Sequence, residues 1–127
     1  MDRKLTWICQ VCGFPIADRA GYLHVDLAKV GQYEAAKIAF EDKHRQGGFV
    51  GYSAAEWIDE MPPMPRWRIH HRACDPDPDA TDYCIDVESA RTHASLLDWT
   101  AHLLEKSWLR STTWDDLIRH AAAAVDS

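Results

Sequence analysis

No run of apolar residues in this 127-residue chain approaches the roughly 20 that a membrane-spanning helix needs. The opening stretch Met1–Trp7, which holds Asp2, Arg3 and Lys4, has no apolar core of the kind a secretory leader carries. The expectation is a cytoplasmic protein without membrane contact. Basic excess is missing too: 14 Lys and Arg stand against 20 Asp and Glu, a formal charge of −6. Residues 1–74 hold ten basic and nine acidic residues, whereas residues 75–127 hold four and eleven. Such a balance argues against general attraction to DNA, RNA or an anionic membrane. Glycine is sparse and forms no phosphate-cradling loop, and no serine sits on a nucleophile elbow. The acidic loop Asp75–Asp79 lacks the glycine and alternating ligands of a calcium loop. No repeat or low-complexity tract interrupts what reads as a single domain.

Cysteine is scarce, but three of the four are placed with purpose. Cys9 and Cys12 stand with two residues between them, as do His71 and Cys74. Cys-x-x-Cys curls the backbone so that both sulfurs face one ion, and Gly13 frees the chain to turn away afterwards. Four such donors make a Cys3His set, the chemistry of a closed tetrahedral zinc site. In a reducing compartment this spacing means metal rather than disulfides. One structural Zn2+ per chain is therefore expected on Cys9, Cys12, His71 and Cys74. Three thiolates and one Zn2+ add about one further negative charge. His70 and Cys84 are the replacement ligands should His71 fail.

Hydrophobic periodicity places these ligands in an α+β fold, a zinc-knuckle antiparallel sheet of three to four strands with about four helices. Tyr22–Leu27 alternates as a strand, expected to return as a hairpin against the knuckle arm. His24 faces away from Leu23 and Val25, as an exposed or hydrogen-bonded histidine. Gly31 then interrupts, and a helix is expected over 32–46, ended by Gly47–Gly48. Ser53 and Glu56 form a capping box for a helix over 54–60, anchored by Trp57, Ile58 and Met61. Arg66–His71 is a strand with Trp67, Ile69 and His71 on one face, which is why His71 and not His70 is the chosen ligand. Arg66, Arg68, His70 and Arg72 share its other face. The following strand turns Asp82, Asp86 and Glu88 outward, so the two are expected to lie side by side and pair charges. The C-terminal third is mostly helical, about 93–124. Thr92 caps a helix over 93–108, and Thr112 or Thr113 caps the last one, whose buried side is Trp114, Leu117, Ile118 and Ala121. In the 93–108 helix, Ala94, Leu97, Ala101, Leu104 and Trp108 form an apolar stripe with seam spacing, and Leu96, Trp99 and Leu103 widen it.

The quartet Cys9, Cys12, His71 and Cys74 resembles a treble-clef or LIM-type half-site, with 58 residues between Cys12 and His71 in place of a short loop and no second set of ligands. The overall layout is similar to small actinobacterial and phage proteins that join a zinc knuckle to a Trp-rich helical tail. The resemblance implies a zinc scaffold and names no activity. Two functions follow as expectations. The first is a non-enzymatic interaction or adaptor module, working with a protein partner or as a homo-oligomer through helix 93–108. The second is a nucleic-acid-binding or nuclease-like protein using the Arg66–Arg72 stripe.

Overall fold

A computed structural model describes residues 4–78 and 82–123. The N-terminal arm folds back on itself about the Cys9–Gly13 knuckle. Cys9 N–H donates to Phe14 O at 3.0 Å and Ile16 N–H to Trp7 O at 2.9 Å, with Ile8 paired against Pro15. Gly13 makes the reversal at φ +76°, a region that favours glycine. The arm was expected to lie against the strand that follows it. That strand, β1 (Gly21–Asp26), instead becomes the centre of the sheet.

Asp26 ends β1 and caps helix α1 (Leu27–Lys43) by accepting the Ala28 and Lys29 N–H groups. The helix thus starts before Gly31, and the expected span 32–46 is corrected at both ends. An internal glycine costs a helix about 1 kcal/mol. The Asp26 cap and the burial of Val30, Tyr33 and Phe40 outweigh it. Gly47–Gly48 is the turn of a small hairpin, β2 (Arg45–Gln46) and β3 (Phe49–Val50), with Gly47 at φ +66°. Helix α2 (Ala54–Glu60) begins with the expected Ser53–Glu56 capping box. Its Trp57 and the following Met61 pack on Tyr33 and Phe40 in a small cluster of their own. Ile58 points away at 74% exposure and anchors nothing.

Strand β4 (Arg68–His71) runs into a 3-10 turn, Arg72–Cys74, and β5 (Asp82–Asp86) follows. A second 3-10 turn, Val87–Ala90, leads to α3 (His93–Leu104), capped by Thr92 with Ser95 in reciprocal hydrogen bonds. The expected helix 93–108 stops at Leu104, and a further 3-10 turn, Leu109–Ser111, separates it from α4 (Trp114–Ala123). Thr112 and Thr113 hold the segment that leads into β4: Trp67 donates its indole N–H to Thr112 at 2.9 Å and its backbone N–H to the Thr113 hydroxyl at 3.1 Å. Asp79 of the acidic loop and residue 124, the expected end of the helical third, lie outside the described residues.

The three-stranded sheet has the order β4-β1-β5, antiparallel throughout. The Arg-rich and Asp-rich strands are therefore not neighbours, and their expected side-by-side pairing is corrected. Arg68 still reaches Asp82, at 3.7 Å, across the central strand. One face of the sheet presents Leu23, Val25, Ile69 and Ile85, and joins Leu5, Trp7, Leu96, Leu103, Trp114 and Leu117 in one buried cluster. Strand alternation puts Tyr22, His24, Arg68, His70, Asp82 and Cys84 on the other face.

Candidate metal centre

Knuckle, β4 and the 3-10 turn bring four donors together. One donor atom from each of Cys9, Cys12, His71 and Cys74 lies within 4.8 Å of the other three. The arm reaches β4 through Gln10, whose N–H donates to Ile69 O at 2.9 Å while its side-chain oxygen accepts the Ile69 N–H at 3.2 Å. His71 shares the face of Ile69, and the turn that follows swings Cys74 back beside it. Gly21 makes this possible on the neighbouring central strand. It stands opposite His71, and a Cβ there would lie 2.3 Å from His70 O and 2.9 Å from His71 Cα. Only glycine fits so close an approach.

The polar surroundings suit a metal. His71 Nδ1 lies 3.3 Å from Cys12 Sγ. The other ring nitrogen, Nε2, donates to the Pro15 carbonyl at 3.2 Å, which assigns the lone pair to Nδ1 and points it at the sulfurs. Burial alone pushes the Cys9 thiol up, but the N–H groups of Cys12, His71 and Val11 converge on the sulfur and bring it down to about 6. Cys74 is pushed up to about 11 by burial and by the neighbouring sulfurs of Cys9 and Cys12. Crowded thiols of this kind share charge badly without a cation between them. A soft-to-borderline divalent ion with tetrahedral preference fits three thiolates and one imidazole. The four residues could thus hold a metal ion.

The replacement ligands stand elsewhere. His70, next in sequence to His71, points to the opposite face of the sheet. Cys84 is exposed on that same far face, opposite His24. His24 is hydrogen-bonded, as expected, but fully buried rather than exposed. Its Nδ1 meets the Asp82 carboxylate and its Nε2 lies 2.7 Å from His70 Nδ1. Tyr22 donates its hydroxyl to Asp75 beside them. This second polar cluster was not foreseen. The available signal was the outward register shared by His24 and His70, with an acidic loop close behind.

No family model, curated protein or solved structure matches this chain. The likeness to LIM and treble-clef sites rests on the four ligand positions alone.

Proposed function

We propose that this chain is a zinc-stabilised protein–protein interaction module that docks a partner helix, or a second copy of itself, on the outward side of α3. The supporting observation is a mismatch between composition and exposure. Ala94, Leu97, Ala101 and Leu104 follow one another along α3 at seam spacing, and all four are exposed, Leu97 at 70% and Leu104 at 63%. Leu96 and Leu103, which the sequence places beside that stripe, take up the core contacts. A helix that has already buried one apolar side and leaves a second one in water offers the anchors of helix-in-groove recognition. Next to Leu104 a groove of about 580 Å3 runs between Met64, Leu109 and Ile118.

Zinc is the metal assigned to Cys9, Cys12, His71 and Cys74, in a structural role. Four protein ligands leave no open position for water or substrate, so the reading gives the centre no catalytic step. The nucleic-acid alternative is weaker. Arg68 is engaged with Asp82 and Arg72 lies over the Tyr22 ring, 5.7 Å from its centroid, within a protein of charge −6.

The test is a double substitution, Leu97→Glu with Leu104→Glu. The variant should keep its zinc and its unfolding midpoint, while losing self-association in sedimentation or losing one partner that the wild type retains from its native host. Identical sedimentation and an identical partner set for both proteins would refute the reading. Binding of duplex DNA at physiological salt, removed by Arg68→Ala, would favour the alternative instead.

A further inference from the structure

We propose that His24, His70 and Asp75 form a second metal centre, for a divalent first-row transition ion, on the face of the sheet opposite the cysteines. One donor atom from each of the three lies within 4.8 Å of the other two. They come from three separate places in the chain: the middle of the central strand, the flanking strand β4, and the loop that follows Cys74. Two imidazoles and one carboxylate are a borderline donor set suited to Zn2+ or Fe2+, and they leave a further position for water or a small anion. The neighbouring residues His70 and His71 then serve one centre each, because strand alternation sends them to opposite faces.

The groups around the three donors hold them as ligands are held. Metal-binding histidines typically give their second ring N–H to a carboxylate, which fixes the tautomer and aims the other nitrogen. His24 does this: its Nδ1–H donates to Asp82, leaving the Nε2 lone pair directed at His70. The carboxylate ligand is held in its turn, by the Tyr22 hydroxyl on one oxygen and by the Asp77 N–H, at 2.9 Å, on the other. Burial is severe, with His24 at 0% and His70 at 4% exposure. The Asp82 side chain is 6% exposed, and its Oδ1 has no partner among the described residues.

Charge completes the case. With neutral imidazoles, the nearly buried Asp82 and the half-buried Asp75 place two negative charges side by side, and Arg68, itself 25% exposed, reaches only Asp82, at 3.7 Å. Carboxylates are buried where cations compensate them. A divalent ion among His24, His70 and Asp75 balances both. Without metal, a His70 N–H donates to His24 across 2.7 Å. Metal entry moves that proton to His70 Nε2 and opens the two nitrogens to roughly 3.3 Å, as Zn–N bonds of about 2.0–2.1 Å in a tetrahedron require. Asp75 is half-buried on its loop.

The experiment is metal loading of the full-length protein, first with Zn2+ and then with Co2+. The wild type should take up two equivalents, one of which shows the intense thiolate charge-transfer bands of Co2+ and one of which does not. Asp75→Ala should lose only the second equivalent and keep the thiolate bands, whose absence from the wild type would instead mark failure of the cysteine site. Failure of the cysteine site and failure of this one are therefore told apart. A wild-type protein that saturates at one equivalent, or Asp75→Ala that still binds two, would overturn the proposal. Should the variant fail to fold, cadmium NMR on the wild type decides: a nitrogen- and oxygen-ligated resonance beside the sulfur-rich one supports a second centre, and a single sulfur-rich resonance refutes it.

Discussion

Adding one methyl group at two glycines should move stability in opposite directions. At Gly21 a new Cβ would sit 2.3 Å from His70 O, 2.8 Å from Ile16 Cγ2 and 2.9 Å from His71 Cα. Two of the three neighbours are backbone atoms, so no side-chain rotation relieves the clash. Strands β1 and β4 must separate where they carry Tyr22 against His70. Overpacking of this kind costs about 1–3 kcal/mol, and the backbone contact places Gly21→Ala at the upper end. The same displacement moves His71 away from Cys9, Cys12 and Cys74, so metal should be lost to a chelator that the wild type resists. At Gly31, inside α1, a Cβ would meet nothing within 4 Å. Gly31→Ala should therefore stabilise by about 0.5–1 kcal/mol through helix propensity alone. A gap of about 4 kcal/mol between the two variants corresponds to roughly 15 °C in Tm for a chain of this size. Thermal and urea unfolding of metal-loaded protein, with a chromophoric chelator competing for the ion, measures both effects. A Gly21→Ala protein that matches the wild type in midpoint and metal retention would refute the close approach of β1 to the ligand strand.

Cys12→Ser or Cys74→Ser should lose the metal and unfold or aggregate, since structural metal binding is folding free energy. Cys84→Ser, on the far face, should keep the metal of the cysteine site and stay within about 0.5 kcal/mol of the wild type; absorption of the Co2+ form separates these cases. Leu103→Ala empties a fully buried position and should cost about 2–5 kcal/mol by chemical denaturation, whereas Leu97→Ala, on the exposed side of the same helix, should be nearly neutral. Hydrogen bonds from Lys43 and His44 hold the Glu60 carboxyl below the ordinary glutamate range. Its contribution to docking α2 is complete above the unfolded glutamate pKa and is lost as pH falls through the depressed folded value. Trp57 fluorescence against pH should show that acid-side transition, and Glu60→Gln should abolish it.

The paired spacings of Cys9 with Cys12 and of His71 with Cys74 were enough to name the four donors that the fold brings together and that could hold a metal ion, because a two-residue gap is local geometry that needs no fold to create it. Local signals also located the α2 capping box, the Thr92 cap and the buried side of α4 through Trp114, Leu117 and Ala121. The period-two alternation of β4 decided between the adjacent histidines for the same reason: which face a strand residue takes depends on parity alone. Parity does not say which strands are neighbours. The order β4-β1-β5 is set by long-range pairing, and it put His24 between Arg68 and Cys84 where sequence order suggested Arg-rich and Asp-rich strands in contact. Burial was likewise beyond local reading. His24 has the outward parity of a solvent residue, yet it lies at 0% exposure among Tyr22, His70, Asp75 and Asp82. On α3 the periodic pattern marked a wide apolar surface without assigning its sides. Only packing against the sheet chose Leu96 and Leu103 for the core and left Leu97 and Leu104 in water, since a helix with two apolar sides buries whichever one the neighbouring elements can cover.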